Sequence, residues 1–179
     1  MEERFIKTGI IKRIAITGPE STGKSRLAKE LAQHYSTAFV PEFARDYVAC
    51  LNRPYNSDDI LHIAQKQIES ENEISEFANK LLICDTDLLV TKVWCEHAFN
   101  FCHEWILKNI QSHQYDLYLL CNIDLNWEFD PLREHPHLRE HFFNLYKSEL
   151  IKTHFPFAVI SGNGEIRLQN AIHEIDKII

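Results

Sequence analysis

Residues 18–25 read Gly-Pro-Glu-Ser-Thr-Gly-Lys-Ser, the G-x-x-x-x-G-K-[ST] spacing of a phosphate-binding loop. Gly18 and Gly23 let the backbone curl so that successive N–H groups, including those of Pro19's neighbours Glu20, Ser21 and Thr22, point at a polyphosphate. From such a loop Lys24 reaches the β- and γ-phosphates, and the Ser25 hydroxyl completes a Mg²⁺ shell. The flanks agree with the motif. Residues 11–17 form a short β-rich apolar run, and from Arg26 onward Leu27, Ala28, Leu31 and Ala32 recur at helical spacing. Strand, glycine loop and helix in that order imply binding of ATP or GTP.

Further chemistry-bearing residues follow other apolar runs. Residues 81–84 end in Asp85-Thr86-Asp87, and Asp85 stands where a carboxylate reaches the metal shell. Residues 38–40 lead into Pro41-Glu42-Phe43-Ala44-Arg45. There Glu42 could take a proton from an attacking hydroxyl, and Arg45 could hold the acceptor or its product phosphate. The plainer alternative is a helix N-terminal glutamate paired with Arg45 three residues on. Arg133 and Arg139 lie in and beside a polar stretch, 122–136, suited to a flap that brings guanidiniums to a developing phosphoryl charge. Surface pairing with Glu134 and Glu140 is the alternative for these two arginines, and Trp127 could pack the flap or stack on a ring. His135, His137 and His141, and Cys95 to His103, lack the spacing of a structural zinc site; Cys95 and Cys102, seven apart, fit one helix face.

The elements that must hold these groups alternate. Apolar runs at 13–17, 38–40, 81–84, 117–121 and 157–161 read as buried parallel strands. Helical patterns fill 58–78, capped from Ser57-Asp58-Asp59, then 90–110, 137–152 and 165–179. The expected fold is an α/β doubly wound domain of 179 residues whose strand ends gather at the phosphate loop. Hydrophobic residues make up 45% and charged residues 25%, the ordinary composition of a globular protein. A net charge of −7 argues against a sequence-independent grip on nucleic acid. Met1 to Phe5 lack a signal-peptide pattern, and no apolar run approaches the roughly 20 residues of a membrane helix. Five cysteines, an odd number, give no disulfide framework, so the expected compartment is the cytoplasm. Trp94, Phe101 and Trp105 leave a homodimer face open, although core packing explains them equally well.

The switch-GTPase signals are missing. Asn122-Ile123-Asp124 lacks the lysine of a guanine reader, and Asp85 is not followed by Asp-x-x-Gly spacing. A compact small-molecule kinase remains. The phosphate loop, Glu42-Phe-Ala-Arg45, Asp85-Thr-Asp87 with Thr91, and Trp127-Glu-Phe-Asp130-Pro-Leu-Arg133 together resemble the ribosylnicotinamide kinase domain of the NadR family, over essentially the whole chain. The resemblance implies a nucleoside/nucleotide-kinase-like fold, a five-stranded parallel sheet with the first strand in the middle, and ATP- and Mg²⁺-dependent phosphorylation of nicotinamide riboside. It places Gly18 to Arg26 and Arg139 at the donor, and Glu42, Arg45, Asp87 and Trp127 at the small-molecule acceptor. Lys24, Glu42, Asp85 and Arg133 then carry catalysis, with Ser25 and Asp85 at the metal and either Glu42 or Asp85 as the base. A nucleoside monophosphate kinase and a nucleotide-dependent regulatory ATPase are the alternatives. No His-x-Gly-His signature of the family's adenylyltransferase half occurs in these residues. Pro41 also occupies the place of an aromatic residue suited to stacking on the nicotinamide ring, for which Phe43, Tyr47 or Trp127 are the substitutes.

Overall fold

The computed structural model describes residues 10–179, so the reading of Met1 to Phe5 lies outside the described residues. Five strands form one parallel sheet: β1 (Lys12–Thr17), β2 (Phe39–Val40), β3 (Leu81–Asp85), β4 (Leu117–Cys121) and β5 (Phe157–Ile160), in the order β2-β3-β1-β4-β5. The first strand is central, with Ile14 registered between Ile83 and Leu117. Period-two alternation sends Ile14 and Ile16 to one face and Ala15 to the other, and all three are fully buried. Strands buried on both faces are continuous apolar runs for this reason.

One face is covered by α1 (Lys24–His34) and α7 (Glu165–Ile175), through Leu27, Leu31, Ile172 and Ile175. The other is covered by α4 (Leu88–Phe99) and α6 (Arg139–Thr153), where Leu89, Val93, Phe142 and Tyr146 pack on Leu82, Tyr118 and Leu120. A satellite core joins α3 (Ser57–Ser75), α4 and α5 (Glu104–Ser112) through Ile60, Leu88, Cys95 and Ile106. A short helix, α2 (Phe43–Ala49), follows β2.

The elements depart from the sequence reading at several points. The expected helix over 90–110 is two helices, because Asn100 turns into the left-handed region (φ 58) and ends α4. The His103 ring then accepts the Trp105 N–H and restarts the chain as α5. Cys102 therefore sits in the turn and not on the helix face of Cys95. The cap of α3 is Asn56, one residue before the expected one. Its side chain accepts the N–H groups of Asp58 and Asp59, while the Asp59 carboxylate accepts the Asn56 N–H at 2.8 Å. Helix α6 opens at Arg139, and α7 ends at Ile175. Among the described residues no helix is long and apolar enough to cross a membrane.

Candidate active site

The phosphate loop, Glu42, Arg45 and the flap residues Glu128 and Arg133 line a cleft of about 820 Å³ beyond the carboxyl ends of the strands, and Asp85 ends β3. The phosphate loop leaves the end of β1, with Gly18 at φ 133 and Gly23 at φ 77. Gly18, at a positive φ that strains any side chain, passes so close to β4 that a Cβ there would lie 3.0 Å from the Cys121 carbonyl oxygen. Lys24, the first residue of α1, folds back to donate to the carbonyls of Gly18 and Pro19, both at 2.9 Å. The Thr22 hydroxyl donates to the Pro19 carbonyl at 2.8 Å and tightens the turn. Gly18 through Arg26 all line the cleft, as the sequence predicts.

Two carboxylates flank Lys24. Glu42 leaves the end of β2 as the residue capping α2, and Asp85 is the last residue of β3. Burial raises the Glu42 carboxyl above its ordinary range; Lys24 opposes the shift and the Asp85 charge adds to it. Burial also raises Asp85, against the neighbouring Ser25 hydroxyl and Lys24. Asp85 Oδ1 is buried without a hydrogen-bond partner among the described residues. An orphaned acidic oxygen beside a serine hydroxyl is a donor set that fits Mg²⁺.

Residues 122–138 cross the cleft as a segment without helix or strand. Asp130 caps its turn by accepting the Leu132 N–H at 3.0 Å. Arg133 donates to the Glu128 carbonyl and the Ser21 hydroxyl. Arg139 donates to the carbonyls of Leu125 (2.9 Å) and Ser21 (3.0 Å). Both guanidiniums stand 6.0 Å from the Trp127 ring centre, so Trp127 packs the two arginines together. Neither arginine forms the alternative surface pair with its neighbouring glutamate among the described residues.

The acceptor side differs from expectation. Arg45 pairs with Asp130 of the flap at 2.8 Å, not with Glu42. Asp87 is fully buried, and its Oδ1 accepts the N–H groups of Leu89 and Val90, so it caps α4 and offers that oxygen to no acceptor. Phe43 and Tyr47 stack on each other, ring centres 5.8 Å apart, and against His62, so neither replaces the aromatic missing at Pro41. The cleft's aromatic wall is instead Tyr55 against Trp94 (4.9 Å), continued by His97, Phe142 and Tyr146. Burial and the neighbouring His135 lower the His97 imidazole. Only Trp94 stood out in the sequence, and as a surface or core residue; no local motif marks the others.

Residues 13–167 match the family model described as an AAA domain. The chain belongs to this family. It is 29% identical over 134 residues, 72% of its length, to the trifunctional NAD biosynthesis/regulator protein NadR of Escherichia coli (strain K12), and these residues cover 32% of that protein. The chain thus spans about a third of the length of the curated relatives it matches. A crystal structure of NadR in complex with NR superposes with a TM-score of 0.79 at 23% identity, covering 93% of this chain and 50% of that one. A deoxyadenosine kinase from M. mycoides with bound products superposes at 0.63 and 13% identity, covering 93% of this chain and 100% of that one. The fold is that of P-loop nucleoside and nucleotide kinases, and the relationship to NadR lies in its kinase part.

Proposed function

We propose that this chain is an ATP-dependent kinase that phosphorylates a hydroxyl of a ribonucleoside-like acceptor, with nicotinamide riboside favoured. The observation that carries the reading is that Lys24, Glu42, Tyr55 and Trp94 line one cleft, with the Lys24 charge acting on both Glu42 and Asp85. The loop amides and Lys24 hold the donor phosphates, and the flap arginines stabilise charge on the transferring group. Glu42, half-buried and raised by desolvation, is a base poised to accept the acceptor's hydroxyl proton, with Asp85 as the alternative. Ser25 and Asp85 would hold Mg²⁺, which when bound neutralises phosphate charge. The aromatic wall suits the flat ring of a nucleoside base. The NadR structure bound to NR supports that choice of ring.

A nucleoside monophosphate acceptor would need free guanidiniums on that side of the cleft. Arg45 is engaged by Asp130, and Arg53 grips Asp59 through two bonds of 2.6 and 2.8 Å, which speaks for an acceptor without phosphate. The test is ATP consumption with Mg²⁺ across a panel of nucleosides and mononucleotides, with the product mass read out. Strong stimulation by nicotinamide riboside, with the gain of one phosphoryl mass, is expected. Stimulation only by mononucleotides would transfer the assignment to the other kinase class. Hydrolysis indifferent to every small molecule would point to a regulatory ATPase.

A further inference from the structure

The phosphate loop carries a negative side chain, Glu20, where anions must bind. No lysine, arginine or histidine side chain lies within ion-pair distance of it among the described residues. Its charge even adds to the pressure that raises Glu42. A carboxylate so placed opposes phosphate binding, and its physical justification is what it holds. Glu20 accepts the backbone N–H of Glu134 through both oxygens, at 3.2 and 3.3 Å, and that of His135 at 3.2 Å. A carboxylate accepting backbone amides makes bonds stronger than neutral ones.

Resting on the kinase reading, we propose that Glu20 is a positioning residue that latches the flap to the phosphate loop and so sets Arg133 over the transferring phosphoryl group. The amide it holds belongs to the residue next to Arg133, so the latch fixes the base of the arginine's side chain. Ser21 adds the second point, accepting the Glu128 N–H at 2.9 Å and bonding the Arg133 guanidinium. On the acceptor side, among the described residues, the flap is tied through side chains, Arg45 to Asp130 and Tyr55 to Glu134 at 2.9 Å. Those ties join side chain to side chain, whereas the Glu20 latch holds the flap's backbone itself.

The test compares Glu20→Ala and Glu20→Gln in the full chain by hydrogen exchange of the flap amides and by steady-state kinetics. Glu20→Ala should speed exchange across 128–135. It should also lower kcat about 100-fold, as a displacement of order 1 Å does, with no rise in the KM for ATP. Glu20→Gln, whose amide oxygen still accepts, should recover most of the loss. The double variant Glu20→Ala, Arg133→Ala should be no slower than Arg133→Ala alone, because the two residues act as one unit. Unchanged exchange, or a double variant slowed by the product of the single effects, would overturn the proposal. The exchange measurement uses nucleotide-free protein and is independent of turnover. A wild-type chain that phosphorylates nothing on the panel therefore sinks the kinase reading, while exchange still judges the latch.

Discussion

The two ends of the cleft are assembled on different principles. At the donor end the phosphate loop is braced from within, by Lys24 and Thr22 on the carbonyls of residues at most six positions away, and by close packing of Gly18 on β4. At the acceptor end Tyr55, Trp94, His97 and Tyr146 arrive from a loop, α4 and α6, and meet only because the sheet stacks those elements on one face. The first arrangement is local and tolerates almost no change of residue type. The second is distributed and can be retuned one side chain at a time, as expected of specificity carried on a fixed scaffold.

This contrast is sharpest in what single substitutions should do. Lys24→Ala leaves α1 packed, since the lysine side chain contacts loop carbonyls and no core residue. It should nevertheless abolish turnover, because the ammonium is the loop's positive side-chain charge for the β/γ-phosphates. Folding checked by circular dichroism beside an activity assay tests both halves; wild-type-like turnover would break the donor-end assignment. Arg133→Ala should cost about 10³-fold in kcat, the scale of an arginine that meets the transition state, and should change ATP affinity far less. An unchanged kcat would reduce Arg133 to a brace for the Glu128 carbonyl.

Glu42 stands between the two ends, and its protonation separates them. Burial lifts its carboxyl, so the inactive protonated form persists above the ordinary glutamate range. If Glu42 is the base, kcat/KM rises with pH through that lifted value, and the acid limb lies higher than that of a solvated glutamate. Glu42→Gln should lower kcat about 100-fold or more and remove that limb. A limb that survives the substitution assigns the base to Asp85.

The same contrast decides what was legible in the sequence. The sheet, the loop, α1 and the strand-end carboxylates were readable, because each is written in contiguous residues with a fixed period or spacing. The α4–α5 break was not, since a helical pattern continues across Asn100 and only its positive φ ends the helix. Asp87 reads as an acceptor ligand because it is acidic and close to Asp85; its Oδ1 caps the N-terminus of α4, a role no spacing rule announces, while its Oδ2 is buried without a hydrogen-bond partner among the described residues. Tyr55 carries no signal at all. It lies in an irregular connection, and its place opposite Trp94 depends on how α3 packs on α4. Arg45 lines the cleft, and its partner Asp130 is 85 residues away. No spacing rule links them.

The mildest substitutions probe the aromatic wall. Trp94→Ala removes one face against which a base can lie, and Tyr55→Ala removes the ring it packs on together with the hydroxyl that donates to Glu134. An aromatic stacking partner contributes about 0.5–1.5 kcal/mol beyond its buried area. The expected rise in acceptor KM is therefore about tenfold for Trp94→Ala, with kcat and the KM for ATP nearly constant. Tyr55→Phe keeps the ring and loses only the flap tie, so it should leave acceptor KM close to wild type. If Trp94→Ala instead lowers kcat as far as Arg133→Ala does, the wall positions the reacting hydroxyl as well as the ring. The division between a donor end that does chemistry and an acceptor end that selects would then fail at that residue.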